Sequence, residues 1–296
     1  MNGSWARAPV ASSSVRRRPP GTVRIVTDSA SDILPSHARA LGVLVIPNRI
    51  VLDGRIFRDG IDITAAQYYA YLSHARSAPF TEPAPPADFY NAYVAALRAG
   101  APAIVSIHTS SRLSQVVRHA VAARDYLAPA TIDVIDSLQL GIGMWPAVIE
   151  ASRLANLGAS ARDVHERVVA LLARTHAFVL VESLEPLRRS GRIGRVQELV
   201  GTLIDAHPIL TLDQGEARLV ETVRSRRRAV LRLCDLAQEA GAIEMLLTCG
   251  TSVESIAEMD ALLAERYTGT IQKTWLGPAI GANLGPAIAV AVVVRE

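Results

Sequence analysis

The 296-residue chain has room for one large or two medium domains, and half of it is apolar, enough to bury a sizeable core. Ala, Val, Leu and Ile carry that half while aromatics supply 5%, which disfavours an all-β sandwich and suits helices packed on parallel strands. Much of the small formal excess of +3 sits in Arg7, Arg16, Arg17 and Arg18; no basic stripe interleaves with aromatics, so nucleic acid is not an expected partner.

Residues 1–22 combine Ser, Pro, Arg and Gly with no apolar run, and read as a disordered basic tail rather than a signal peptide. The folded chain opens on Val23–Thr27, a buried strand ending in the polar Asp28-Ser29. Val43–Ile46 is a second strand. Ile50–Leu52 and Arg55–Phe57 flank Asp53-Gly54, the signature of a tight hairpin. Thr64 caps a helix reaching about Ala75. Residues 78–88, with Pro79, Pro83, Pro85 and Pro86, are excluded from helix and central strand and read as a stiff loop. A helix to about Ala99 follows, then the strand Ala103–Ile107. Ser110–Ser114 opens the next helix, and Thr131–Ile135 is a strand ending in Asp136-Ser137. A helix begins near Gly143.

This half repeats one unit of strand, hydroxyl-rich loop and helix, which predicts a parallel sheet with helices on its faces. In such sheets ligands bind beyond the carboxyl ends of the strands, where these loops gather. Leu157–Ser160 is the expected boundary, giving an N-terminal α/β domain over 23–158 and a C-terminal α/β domain with a mixed sheet over 159–296. In the second half Phe178–Val181 is a strand, Pro208–Leu212 and Ala217–Val223 form a hairpin, and Met245–Thr248 precedes a helix over Ser252–Arg266. Thr270–Leu276 and Ala287–Val294 close the chain as strands. Gly277–Pro286, the densest Gly/Pro segment, reads as a loop of fixed shape in which Asn283 either takes a left-handed turn or presents its amide to a ligand.

Several groups carry candidate chemistry. Asp28 and Asp32 can bind a divalent cation or act as acid and base, or the loop is simply capped by Asp28 or Ser31. Thr109, Ser110, Ser111 and Ser114 crowd a helix start, where free N–H groups and hydroxyls suit a carboxylate or phosphate; Gln115 stands where glycine would let the anion closer. Thr81 lies in the proline-stiffened loop, where a pre-organised hydroxyl loses little entropy on binding. The seven histidines are scattered, no nucleotide loop or metal spacing is present, and Cys234 and Cys249 lie in apolar stretches. No apolar run approaches a membrane span. A cytoplasmic protein with buried free thiols and no cofactor or metal is expected.

Nine segments in order resemble the DegV family of bacterial fatty-acid-binding proteins. They are residues 27–32, 45–47, 59–63, 80–85, 110–114, 136–139, 190–194, 207–210 and 277–283, read as Thr-Asp-Ser-Ala-Ser-Asp, Val-Ile-Pro, Asp-Gly-Ile-Asp-Ile, Phe-Thr-Glu-Pro-Ala-Pro, Ser-Ser-Arg-Leu-Ser, Asp-Ser-Leu-Gln, Ser-Gly-Arg-Ile-Gly, His-Pro-Ile-Leu and Gly-Pro-Ala-Ile-Gly-Ala-Asn. The resemblance implies a two-domain fold with a long-chain fatty acid between the domains, its carboxylate held by Thr81 and Ser114. Asn283 stands at the family's histidine position, and Gln115-Val116 replaces its Gly-Thr. Ala287 replaces a glycine, and Trp145 falls where a small residue near the tunnel is usual.

The resemblance further implies a non-catalytic role, presenting the fatty acid to a partner kinase that makes an acyl phosphate, and it allows transient contact with a membrane. Arg192, between Gly191 and Gly194, is assigned to domain geometry or kinase docking rather than to the ligand. The alternative is a hydrolase or phosphotransferase using Asp28, Asp32, Asp136 and the loop hydroxyls. Neither reading specifies an oligomeric state.

Overall fold

The computed structural model describes residues 21–192 and 206–295. Residues 1–20 of the expected tail, and Ile193 and Gly194, lie outside them.

The first half runs β1 (Arg24–Asp28), α1 (Pro35–Leu41), β2 (Leu44–Ile46), β3 (Arg49–Leu52), β4 (Arg55–Arg58), α2 (Ala65–Leu72), β5 (Phe80–Glu82), α3 (Pro86–Arg98), β6 (Ile104–His108), α4 (Val116–Asp125), β7 (Ile132–Asp136), α5 (Trp145–Asn156) and α6 (Ala161–Ala173). Four of these strands form the expected parallel sheet, in the order β2-β1-β6-β7. Strand alternation distributes its side chains. Val26 and Ile104 join the core under α3 and α4, whereas Ile25, Val105 and Ile107 face the core that α5 and α6 complete. The helix after Leu157–Ser160, α6, still packs on β6 and β7, so the chain passes to the second sheet at Arg174.

Local chemistry sets several boundaries. Asp53 and Gly54 both take positive φ, 46° and 77°, as a tight hairpin turn requires. Thr64 and Ser160 each form a capping box, with Gln67 and Asp163. The Pro-rich loop proves to contain β5, which pairs with β3 alone at the edge of a small sheet ordered β4-β3-β5; an edge strand tolerates the prolines around it.

The second half runs β8 (Thr175–Val181), α7 (Glu185–Ser190), β9 (His207–Asp213), β10 (Glu216–Val223), α8 (Arg226–Glu239), β11 (Ile243–Gly250), α9 (Val253–Ala264), β12 (Ile271–Trp275), α10 (Pro278–Leu284) and β13 (Ala287–Val294). Its six strands form a mixed sheet, β10-β9-β8-β13-β11-β12, in which only β11 and β12 run parallel. One face, with Ile288, Val290 and Val292, packs on α8 and α9. The other, with Ala287, Ala289 and Ala291, joins the core shared with the first half. The two sheets thus close on one another, and the carboxyl ends of β1, β6 and β7 point into the seam.

One expectation is overturned. Gly277–Pro286 is not a loop: Pro278–Leu284 is a helix, and Asn283 lies within it rather than in a left-handed turn. Gly277 and Pro278 suit the first positions of a helix, and Gly285, at φ 71°, ends it. The Gly/Pro content punctuates a short helix instead of forbidding one.

Candidate ligand-binding site

A cavity of about 120 Å³ lies in the seam, where roughly 10–15 Å³ suffices for one water. Its wall on the second sheet sets small side chains, Ala177, Ala217, Cys249 and Ala289, beside larger ones such as Val179 and Leu212, and the small ones leave space there. Leu140, Ile142, Leu210, Leu276, Ile280 and Leu284 supply the rest of an apolar lining. Burying an alkyl group in such a lining is worth about 0.8 kcal/mol per CH₂.

The polar end is assembled from three parts of the chain. Thr81 comes from β5, Ser114 from the loop after β6, and Asn283 from α10, with Arg192 just beyond α7; all four line the cavity. Asn283, 8% exposed, spends both ends of its amide: Nδ2 donates to Thr81 Oγ1 (3.2 Å) and to the Ala279 carbonyl (2.8 Å), while Oδ1 accepts from Arg192 Nη1 (3.0 Å). Arg192 also donates from Nε to the Leu113 carbonyl (3.1 Å) and from Nη1 to the Ser190 carbonyl (3.1 Å).

What remains unspent decides the chemistry. Among the described residues, Arg192 Nη2 has no hydrogen bond and no carboxylate lies within ion-pairing distance of the guanidinium. Burial pulls its pKa down from the ordinary arginine value, as for a cation withdrawn from water, yet an arginine stays charged. Thr81 Oγ1 accepts from Asn283, and Ser114 Oγ accepts from Val116 N at 3.4 Å; neither hydroxyl donates to a described residue. Three donors, one of them cationic, therefore close one end of an apolar trough. That set matches a carboxylate.

The family model of DegV ("Uncharacterised protein, DegV family") matches residues 22–295. The chain belongs to the DegV family. Within it, a DegV domain-containing protein of Mycobacterium tuberculosis is 33% identical over 270 residues, covering 89% of this chain and 94% of that one. One from Caldanaerobacter subterraneus is 30% identical over 269 residues, covering 89% and 95%. A solved Thermus thermophilus structure, described as fatty acid binding of a DegV family protein, superposes with a TM-score of 0.84 at 26% identity, covering 93% of this chain and all of that one.

Against this DegV fold the expected site residues separate. Thr81 and Ser114 line the cavity, and neither hydroxyl donates to a described residue. Asn283 lines it too, but both ends of its amide are bound within the protein, so it spaces Thr81 from Arg192. Ser110 is fully buried and donates to the Gly215 carbonyl (2.8 Å), pinning the β9–β10 turn to the first sheet. A Cβ at Gly215 would collide with that hydroxyl, and its φ of 81° also favours glycine. Ser111 and Gln115 are exposed and outside the lining, because α4 starts only at Val116, after the hydroxyl-rich turns. Trp145 is likewise outside it, buried at the start of α5 and stacked on His37. Arg192, expected to serve domain geometry or kinase docking, sits in the cavity wall, and its bond to the Leu113 carbonyl ties the two halves together. Sequence reasoning passed over Asn48, whose Nδ2 donates to Asp28 Oδ1 (3.1 Å) and whose Oδ1 accepts from Ala84 N (3.1 Å), holding the Thr81 segment against β1.

The acids of the hydrolytic alternative are dispersed among other tasks. Asp136 Oδ1 accepts from Ser111 N and Leu138 N. Asp28, fully buried, accepts from Ala30 N, Asn48 Nδ2, and Thr109 N and Oγ1, and pairs with His108 Nδ1 at 3.1 Å. Burial alone would raise its pKa; the bond and charge of His108, with the Thr109 donors, outweigh that and hold it below the usual carboxylate range. His108 Nε2 meets Ser106 Oγ at 2.7 Å, and Tyr93 donates to the same oxygen at 2.8 Å. The order Asp, His, Ser resembles a catalytic triad. All of it is 0% exposed, however, and Ser106 is no part of the cavity wall. This network fixes the strand ends that carry Thr109 and Asn48. Among the described residues, no three His, Cys, Asp or Glu side chains gather into a metal site, and no helix is long and apolar enough to cross a membrane.

Proposed function

We propose that this DegV-family chain binds a long-chain fatty acid in the seam between its two sheets. The tail lies along the apolar face of the second sheet, where Ala177, Ala217, Cys249 and Ala289 leave room, and Thr81, Ser114 and Arg192 hold the carboxylate. The observation that carries the reading is the pairing of an apolar trough with three donors at one end that no described residue occupies. A carboxylate taken from water without such donors would cost several kcal/mol or become protonated. The fatty-acid binding described for the Thermus relative supports the same assignment.

The protein acts as a carrier in the cytoplasm. It delivers the bound acid to a kinase that forms the acyl phosphate, a role implied by the family resemblance and consistent with a sequence that has no nucleotide loop of its own. Organic extraction of the purified protein followed by mass spectrometry tests the ligand: a co-purifying fatty acid in near-stoichiometric amount is expected, and an empty extract together with no displacement of a fluorescent fatty acid defeats the reading. Incubation of the loaded protein with ATP and a cognate kinase tests the carrier role through acyl-phosphate formation.

A further inference from the structure

The cavity wall holds one polar group that carboxylate binding leaves idle. Asp32 follows β1 in a left-handed conformation, φ 56°, and is 6% exposed. Its Oδ1 accepts from the Gly277 backbone N at 2.9 Å, at the start of α10. Its Oδ2 is buried with no hydrogen-bond partner among the described residues. Two glycines make room for this carboxyl: a Cβ on Gly277 would stand 2.6 Å from Oδ1, and one on Gly141 would stand 3.0 Å from Oδ2. Gly141 and Asp32 both line the cavity. A buried oxygen left without a bond costs free energy, and a native fold rarely retains one without a use.

We infer that Asp32 is a second polar contact for the bound lipid, pairing with a hydroxyl carried part-way along the acyl chain; this rests on the fatty-acid reading above. The choice of a hydroxyl follows from the donor and acceptor arithmetic. Burial, chiefly, with Asp59 and Asp28 nearby, pushes the Asp32 pKa well up against the opposing bond from Gly277. A neutral acid needs an acceptor for its O–H, and an ionised one needs a donor. A hydroxyl serves both, a ketone only the first, and a methylene neither. Position follows from α10, whose start touches Asp32 through Gly277 and whose end carries Asn283 at the head-group site. These two residues are six apart, roughly 9 Å at about 1.5 Å each. The hydroxyl therefore belongs to a mid-chain carbon.

The test is displacement of a fluorescent fatty acid by octadecanoic acid, by monohydroxy isomers with the hydroxyl moved stepwise from mid-chain to the head, and by the matching oxo acid. We expect one mid-chain isomer to outcompete octadecanoic acid by about tenfold, the worth of one buried hydrogen bond. The oxo acid gains less, and the isomer hydroxylated beside the carboxylate gains nothing. Asp32→Asn, which tolerates the left-handed backbone and keeps an oxygen for Gly277, retains the preference. Asp32→Gly, compatible with the same φ, brings the ratio of hydroxylated to plain affinity to about one. If octadecanoic acid binds the unmodified protein as tightly as every hydroxy isomer, Oδ2 holds no more than a water and the inference fails while the fatty-acid reading stands. If no fatty acid binds at all, that reading fails and takes the inference with it.

Discussion

Two polar clusters lie near one another and do opposite things. In the Asp28–His108–Ser106–Tyr93 chain each group is buried and partnered within the protein. In the Thr81–Asn283–Arg192 cluster Asn283 is fully engaged, while among the described residues Thr81, Arg192 and neighbouring Ser114 each keep a donor without a partner. The difference teaches that a polar constellation is read by what it leaves unpaired. The first cluster has the composition of a catalytic triad and the behaviour of a rivet. The second has no catalytic pattern, and its donors face the cavity.

The largest effect that would break the comparison concerns stability. His108→Ala leaves the Asp28 carboxylate buried with one partner fewer, and we expect a loss of roughly 3–5 kcal/mol in urea unfolding, the scale of breaking a buried pair. A variant that unfolds like the parent would show that the network is no rivet. Arg192→Ala should behave in the converse manner. Its cost is expected in affinity, about 1.5–3 kcal/mol for a hydrogen-bonded charge, or ~10–100-fold, with little change in melting temperature. Retained fatty-acid affinity with lost kinase turnover would return Arg192 to docking.

The hydroxyls sharpen the contrast. Thr81→Ala and Ser114→Ala should each weaken binding by about 1–2 kcal/mol in a displacement titration. Ser110→Ala should spare binding and cost about 1 kcal/mol of stability through its lost bond to Gly215. A binding defect in Ser110→Ala equal to that of Ser114→Ala would erase the distinction between them.

The smallest effect is on pH. Burial, above all, raises the Asp59 carboxyl to about 7, against bonds from Ser29 and the Ala279 and Gly60 amides. A carboxyl raised in the folded state binds more protons folded than unfolded, so its stabilisation is complete below about pH 4 and is lost as the pH rises to about 7. Asp32 shifts in the same direction, whereas Asp28, held low, contributes stability that is lost in acid. Urea midpoints at about pH 5 and pH 8 should show a shallower decline in Asp59→Asn than in the parent. An equal decline would assign the slope to other groups.

The sequence by itself determined the alternation of strand, hydroxyl-rich loop and helix, the parallel first sheet and the hairpins at Asp53-Gly54 and Gln214-Gly215. All rest on periodicity and turn chemistry acting within a few residues. The ordered segments also brought the family and the two cavity hydroxyls within reach. Only the tertiary structure decided that 278–284 is a helix, that Ser110 is a pin while Ser114 lines the cavity, and that Arg192 turns inward. Arg192 and Asn283 are 91 residues apart in sequence, and Thr81 and Asn283 are 202 apart. Which donors stay free depends on partners at such separations, and residue type and local pattern hold no information about them.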